Sequence, residues 1–217
     1  MKRVLIFANG DPLDGDMVRR AIAAAESPHV IAADGGVHNA QLFGLEVDSI
    51  VGDMDSLSAD ELRAQQESGA EINRFPAEKD FTDLELALKY ACKNGAEWIR
   101  IVGGVGGRLD QTLANVYLLA LPELAGCNVS LVAGNQETRL LKPGEHQING
   151  ADGDTISLIP LGGAVHGIHT ANLYYPLTDE TLEFGPARGI SNVMTGEMAS
   201  VRFVDGTLLL IHTVGRA

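Results

Sequence analysis

Short apolar runs and helix-period segments alternate along the first part of the chain. The runs are Val4–Ala8, Val30–Ala33, Ser49–Val51, Glu71–Phe75, Trp98–Val102 and Val129–Ala133. Runs this short and this apolar suit strands buried on both faces. Between them, Met17–Ala25 and Ala59–Gln66 read as helices. Thr82-Asp83-Leu84-Glu85 reads as a capping box, with Thr82 as N-cap and Glu85 reaching back. Leu84, Ala87, Leu88 and Ala91 follow at helical spacing, and Leu113, Val116, Tyr117 and Ala120 form one apolar face of a further helix. Alternating strand and helix predicts a mostly parallel sheet covered by helices.

After Gly134 the helical pattern stops. Glu137–Leu141, Thr155–Pro160, Ala164–Ala171, Leu182–Phe184, Met198–Val204 and Thr207–His212 read as strands, with Gly and Pro between them. Asp205-Gly206 reads as a hairpin turn. The expectation is an α/β domain over residues 1–134 and an all-β domain over 135–217. At the second domain's size, a β-sandwich is favoured over an open sheet.

Charge then narrows the partners. Lys and Arg number 16 against 29 Asp and Glu, a formal net charge of −13. No basic stripe stands out, so nucleic acid and anionic membranes are not expected partners. An anionic nucleotide is compatible, provided a divalent metal bridges the two sets of charge. Cys92 and Cys127 stand outside any C-x-x-C pair and read as buried free thiols in a reducing compartment. The apolar stretch after Met1-Lys2-Arg3 is too short for a signal core or a membrane span, and the cytoplasm is expected.

The aspartates fall where the predicted strands end. Asp34 follows the second strand; Asp53 and Asp55 follow the third; Asp80 and Asp83 the fourth; Asp110 the fifth. In a parallel sheet these loops open on one edge, where open α/β sheets bind ligands. Single aspartates there also cap helices and turns, but several independent loops ending in them point to a shared cation, Mg²⁺ or Ca²⁺. Asp53 and Asp55 are the sharpest pair. On an extended backbone they point the same way, with Cα atoms roughly 7 Å apart. Gly103-Gly104-Val105-Gly106-Gly107-Arg108 lies between a strand and a helix. Gly106 and Gly107 allow backbone N–H groups to approach phosphate, and Arg108 adds a bidentate guanidinium. It is not a Walker loop, since no G-K-[ST] follows. Lys79 supplies a second positive charge for the same phosphates.

Together these residues resemble the thiamine pyrophosphokinase family. The similar blocks are Ala33-Asp34-Gly35-Gly36, Gly52-Asp53-Met54-Asp55-Ser56, Lys79-Asp80-Phe81-Thr82-Asp83, Gly107-Arg108-Leu109-Asp110-Gln111 and Gly189-Ile190-Ser191-Asn192. Their order and spacing match over nearly the whole chain. The resemblance implies an ATP-binding α/β domain, a thiamine-binding β-sandwich, and a homodimer with thiamine held where the two subunits meet. It implies transfer of pyrophosphate from ATP, with Mg²⁺, to the thiamine hydroxyl, leaving AMP. Asp53, Asp55 and Asp83 become metal and phosphate-site carboxylates; Asp34, Lys79, Asp80, Gly106, Gly107 and Arg108 become the ATP site. Asp110, Gln111, Ser191 and Asn192 become the substrate site, with Asp53, Asp55, Asp83, Arg108 and Asp110 as the catalytic set. The residues leave open whether Asp55 or Asp110 accepts the hydroxyl proton.

Two departures stand out. Many bacterial relatives carry His where this chain has Gln111, so a His-based acid/base role is excluded. Animal and fungal members stack a Trp on thiamine near the C-terminus; Leu208-Leu209-Leu210-Ile211 has none, and aliphatic contacts are expected instead. Two other functions fit less of the pattern: a pyrophosphokinase or nucleotidyltransferase for another heterocyclic alcohol, and a non-catalytic nucleotide or thiamine sensor.

Overall fold

The computed structural model describes residues 2–78 and 80–216. The chain divides into two compact units, Met1–Gly134 and Asn135–Ala217.

In chain order the first unit contains β1 (Lys2–Phe7), α1 (Asp16–Ala24), β2 (His29–Ala33), α2 (Gly36–Leu42), β3 (Ser49–Gly52) and α3 (Ala59–Glu67). It continues with β4 (Glu71–Arg74), α4 (Asp83–Lys93), β5 (Ala96–Val102), α5 (Leu109–Leu118), a 3₁₀ turn at Pro122–Leu124, and β6 (Asn128–Ala133). The strands lie in the order β6-β5-β1-β2-β3-β4, and each neighbouring pair is parallel. The chain builds outward from β1 to β4, then returns to place β5 on the other side of β1. That reversal between β1 and β5 is a topological switch point, where the loops on either side diverge and leave a crevice.

The central strands are apolar because helices or neighbours cover them. Val4, Leu5, Ile6 and Phe7 of β1 are fully buried, as are Ile31, Ile50, Ile99 and Ile101. The run Glu71–Phe75 departs from the expectation of a strand buried on both faces. As β4 it forms the sheet's outer edge, and none of its residues is buried. The expected apolar face on Leu113 and Tyr117 is also not buried. Leu109, Leu113 and Tyr117 of α5, one turn apart, are 70%, 48% and 58% exposed.

Helix starts explain where the loops sit. Thr82 caps α4 by accepting the N–H of Glu85 at 3.2 Å. The Glu85 carboxylate instead pairs with Lys89 at 2.7 Å, so this box is half formed. The complete capping box belongs to α3, between Ser58 and Glu61. There Ser58 and His38 hold the Glu61 carboxyl down at about 2. The start of α1 has no side-chain cap; Met17 and Val18 N–H donate to the Gly134 carbonyl at 3.1 and 3.3 Å. A Cβ on Gly15 would lie 2.5 Å from Gly134, so that close approach requires glycine.

The second unit is a β-sandwich. Its strands are β7 (Gln136–Leu141), β8 (Gly144–Asn149), β9 (Thr155–Pro160), β10 (Val165–Ala171), β11 (Glu180–Leu182), β12 (Asn192–Val193), β13 (Met198–Phe203) and β14 (Leu208–Thr213). One antiparallel layer runs β12-β9-β14-β7, the other β11-β10-β13-β8. Ile148, Ile156, Ile168, Val201, Phe203, Leu208 and Leu210 fill the space between. Along β13 the buried Ala199, Val201 and Phe203 alternate with outward neighbours, as a sheet with one face on a core requires. Asp205-Gly206 is not a hairpin turn. It carries the chain from β13 in one layer to β14 in the other, and Asp205 bridges to His166. A buried pair, Asp154 and His212, lies 2.8 Å apart. Burial pushes the Asp154 carboxyl up, but the N–H groups of Gly215 and Ala151 together with His212 outweigh it and hold Asp154 below its usual range.

Cys92 and Cys127 are free and half-buried rather than buried. Burial raises both thiols, Cys127 to about 11, so neither is a reactive thiolate at neutral pH. No helix among the described residues is long and apolar enough to cross a membrane.

Candidate active site

A cleft of about 840 Å³ opens at the carboxyl ends of the parallel strands of the first unit. Its walls are the loops that the topology predicts: Ala8–Asp11 after β1, Asp34 after β2, Asp55 and Ser56 after β3, and Gly103–Gly107 after β5. Thr82–Leu84 at the start of α4 and Asp110–Thr112 at the start of α5 close it.

At one side three carboxylates converge. Asp34, Asp53 and Asp83 each bring an oxygen within 4.8 Å of the others. Asp34 is only 5% exposed, and its Oδ1 has no hydrogen-bond partner among the described residues. An orphaned carboxylate oxygen, buried beside two further carboxylates, is costly unless a cation neutralises it. Oxygen donors in this number suit a hard divalent ion. The backbone is shaped to the same end. Asp34 sits at φ 46°, an uncommon conformation of the kind that collects at functional sites. A Cβ on Gly52 would stand 3.0 Å from both Asp34 Cβ and Asp83 Oδ1, so only glycine lets the two acids approach across β3.

Asp55 is not in this trio. The extended backbone expected between Asp53 and Asp55 is broken at Met54, which has φ 69° and a buried side chain. The chain turns there, Asp55 N–H donates to Asp53 Oδ1 at 3.1 Å, and the Asp55 carboxylate points to the exposed rim, where it accepts Ser56 Oγ at 3.2 Å. Asp80 is exposed and is not among the residues lining the cleft. Lys79 lies outside the described residues.

Across the cleft is the glycine-rich loop. Gly106 N–H donates to Thr112 Oγ1 at 3.2 Å, and Gly107 N–H donates to Asp11 Oδ2 at 3.1 Å. Arg108 grips Asp110 through Nη2 at 2.6 Å and Nε at 3.3 Å. That fork holds the Asp110 carboxyl below its usual range and raises Arg108. Both side chains are about 70% exposed, at 70% and 69%, so the pair is weak and open to exchange. Gln111 follows on the first turn of α5 and lines the cleft.

Asp11 and Asn39 have no counterpart in the sequence reading. Asn39 is buried on α2, and its Nδ2 donates to the carbonyls of Ala8 and Gly10 at 2.7 and 2.8 Å, pinning the loop after β1. The sequence carries no signal for this role, because the burial of Asn39 beside Gly36, Val37 and Ala40 shows only in the folded helix.

Ser191 and Asn192 belong to the second unit. Ser191 is exposed at φ 57°, and its N–H donates to Ser157 Oγ at 3.1 Å. The Asn192 side chain is used on both ends: Oδ1 accepts Tyr175 N–H at 2.9 Å, and Nδ2 donates to Tyr175 O at 2.7 Å. It therefore holds the loop bearing Tyr174 and Tyr175, two exposed rings packed edge to face at 4.8 Å.

The family model described as "Thiamin pyrophosphokinase, catalytic domain" matches residues 22–131, which span the acidic trio and the glycine-rich loop. The chain belongs to the thiamine pyrophosphokinase family. A second model of that family, "Thiamin pyrophosphokinase, vitamin B1 binding domain", matches residues 145–208 in the sandwich. Thiamine pyrophosphokinase of Bacillus subtilis is 30% identical over 163 residues, covering 75% of this chain and 76% of that one. A Bacillus subtilis thiamine pyrophosphokinase crystal structure superposes with a TM-score of 0.86 at 27% identity, covering 98% of this chain and 99% of the other. A thiamin pyrophosphokinase family protein from Enterococcus faecalis gives 0.85 at 28% identity, covering the whole of both chains.

Proposed function

We propose that the chain transfers a pyrophosphate group from ATP to the hydroxyl of thiamine, giving thiamine pyrophosphate and AMP. The observation that carries this reading is one cleft lined by Asp34 and Asp83, with the Asp53 carboxylate within 4.8 Å of both, and by the glycine-rich loop with Arg108. Opposed anionic and donor walls suit a metal-bridged polyphosphate. Family membership favours thiamine over another heterocyclic alcohol and a transferase over a sensor.

Asp34, Asp53 and Asp83 would hold Mg²⁺, which when bound offsets phosphate charge. The chain's own residues do the positioning. Arg108 and the amides of Gly106 and Gly107 hold phosphate oxygens, Gly103 lets the loop pack against Ala8 and Asn39, and the loop pinned by Asn39 sets the width of the cleft. Asp55, on the rim and clear of the trio, and Asp110, once released from Arg108, are the two candidates to accept the hydroxyl proton. Little covalent chemistry falls to the protein; alignment supplies most of the acceleration.

Thiamine belongs to the sandwich in this reading, through Ser191 and the loop that Asn192 fixes. A homodimer in the cytoplasm completes the proposal. The exposed apolar stripe Leu109, Leu113 and Tyr117 on α5 supports an association of subunits, since such stripes are normally covered.

The division of labour is tested by a split in Michaelis constants. Arg108→Ala raises KM for ATP by roughly tenfold or more and leaves KM for thiamine within about twofold. Asn192→Ala does the reverse, because it frees the Tyr174–Tyr175 loop and leaves the cleft alone. Equal changes in both constants for both variants would refute the assignment.

A further inference from the structure

The donors of the glycine-rich loop are not waiting open. Gly107 N–H is occupied by the Asp11 carboxylate at 3.1 Å, and Arg108 by the Asp110 carboxylate at 2.6 Å. In each case an anion of the chain stands on a group suited to phosphate oxygen. For Asp110 the partner is two residues away, and such a fork is ordinary local chemistry. For Asp11 it is 96 residues away, so the contact depends on how two loops are joined.

Those loops are joined tightly. Gly10 N–H donates to Gly103 O at 3.0 Å, and Ala8 N–H to Val102 O at 2.8 Å, extending the β1–β5 pairing beyond the strands. Asn39 Nδ2 holds the carbonyls of Ala8 and Gly10 from the other side. A Cβ on Gly10 would lie 2.4 Å from Gly103 O; one on Gly106 would lie 3.0 Å from Asp11 Oδ2 and 3.1 Å from Asp11 N. The backbone of Asp11 is thus fixed against the glycine-rich loop, while its side chain is exposed and can rotate away. A carboxylate on a backbone amide just before a helix uses the same charge-assisted bond that a phosphate oxygen forms there.

We propose that Asp11 is an intramolecular placeholder for a nucleotide phosphate. Before a phosphate binds, it satisfies the Gly107 amide. An arriving phosphate displaces it, and the displaced carboxylate then stands beside the phosphates as a like charge. The device lowers affinity for anions and hastens their release. It rests on the reading of the cleft as a polyphosphate site.

The test uses the full-length protein and inorganic pyrophosphate with Mg²⁺, followed by calorimetry and by the ¹⁵N–¹H resonance of Gly107. Asp11→Ala binds pyrophosphate about three- to tenfold more tightly than wild type, with Asp11→Asn between them, because a neutral acceptor competes less. The Gly107 amide resonance moves on Asp11→Ala, and pyrophosphate shifts it further in that variant. Affinity that falls or stays unchanged in Asp11→Ala, while wild type binds pyrophosphate and shows shifts in the cleft, overturns the placeholder and leaves the polyphosphate reading standing. Pyrophosphate that neither binds wild type nor moves any cleft amide overturns both. An unmoved Gly107 resonance in a folded Asp11→Ala protein also overturns the placeholder.

Discussion

Asp83→Asn lowers turnover by about 10³-fold and leaves the fold intact. Asp83 is the first residue of α4, placed there by the Thr82 cap, and its carboxylate oxygen lies with those of Asp34 and Asp53 inside 4.8 Å. Three carboxylates so close repel one another, and removing one charge relieves that repulsion. The helix loses a favourable first-turn charge, worth well under about 1 kcal/mol at this exposure, while Glu85 remains in the same turn. Stability is therefore nearly unchanged. Transition-state charge on the phosphates loses a major counterweight, and losses on the order of 10²–10³ follow from removing one such group. Asp55→Asn, outside the trio, costs on the order of 10²-fold if Asp55 is the proton acceptor, and little if Asp110 is. The check is steady-state turnover in Mg²⁺ buffer beside a thermal melt. Near-normal turnover in Asp83→Asn, or a larger loss in Asp55→Asn, would contradict the arrangement of the acids.

Gly36→Ala, by contrast, breaks the scaffold. A Cβ at Gly36 would stand 1.8 Å from the carbonyl oxygen of Phe7 and 2.6 Å from its carbon. Neither atom can move cheaply, because Phe7 is fully buried in the central strand and paired to both β2 and β5. The variant has to lift α2 from β1, at a cost of about 3 kcal/mol or more. Lifting α2 also withdraws Asn39 from Ala8 and Gly10, so the cleft widens. The first unit then melts roughly 10 °C lower, and activity falls even at temperatures where the protein stays folded. A melting temperature within about 2 °C of wild type would show that the backbone yields more easily than this packing allows.

What the sequence made legible follows from burial. Strands covered on both faces must be apolar throughout, so β1, β2, β3, β5 and β6 stood out as runs. Edge position cannot be read from such a run, which is why Glu71–Phe75 looked buried and is not. The short α2 starts at Gly36 and carries Asn39 and His38, so its pattern was too weak to mark it, although it fixes the loop after β1. The Asp205-Gly206 pair signals a tight turn, but local turn chemistry does not say whether the next strand joins the same layer. The acidic loops were legible as a set because strand ends in a parallel sheet share one edge. Which acids meet was not. The left-handed turn at Met54 swings Asp55 away from Asp53, and the approach across Gly52 brings in Asp34. Asp11 carried no signal at all, since its partner is distant in sequence and the contact is with a backbone amide.

The central claim is which bond breaks, and product analysis decides it. A cleft that presents the β-phosphorus of ATP to the thiamine hydroxyl must hold adenosine and the α-phosphate as the leaving group. With thiamine, ATP and Mg²⁺, phosphorus NMR or chromatography shows AMP and thiamine pyrophosphate appearing in equal amounts. Stoichiometric ADP with thiamine monophosphate would mean attack at the γ-phosphorus, and free pyrophosphate with an adenylated product would mean attack at the α-phosphorus; either result contradicts the account.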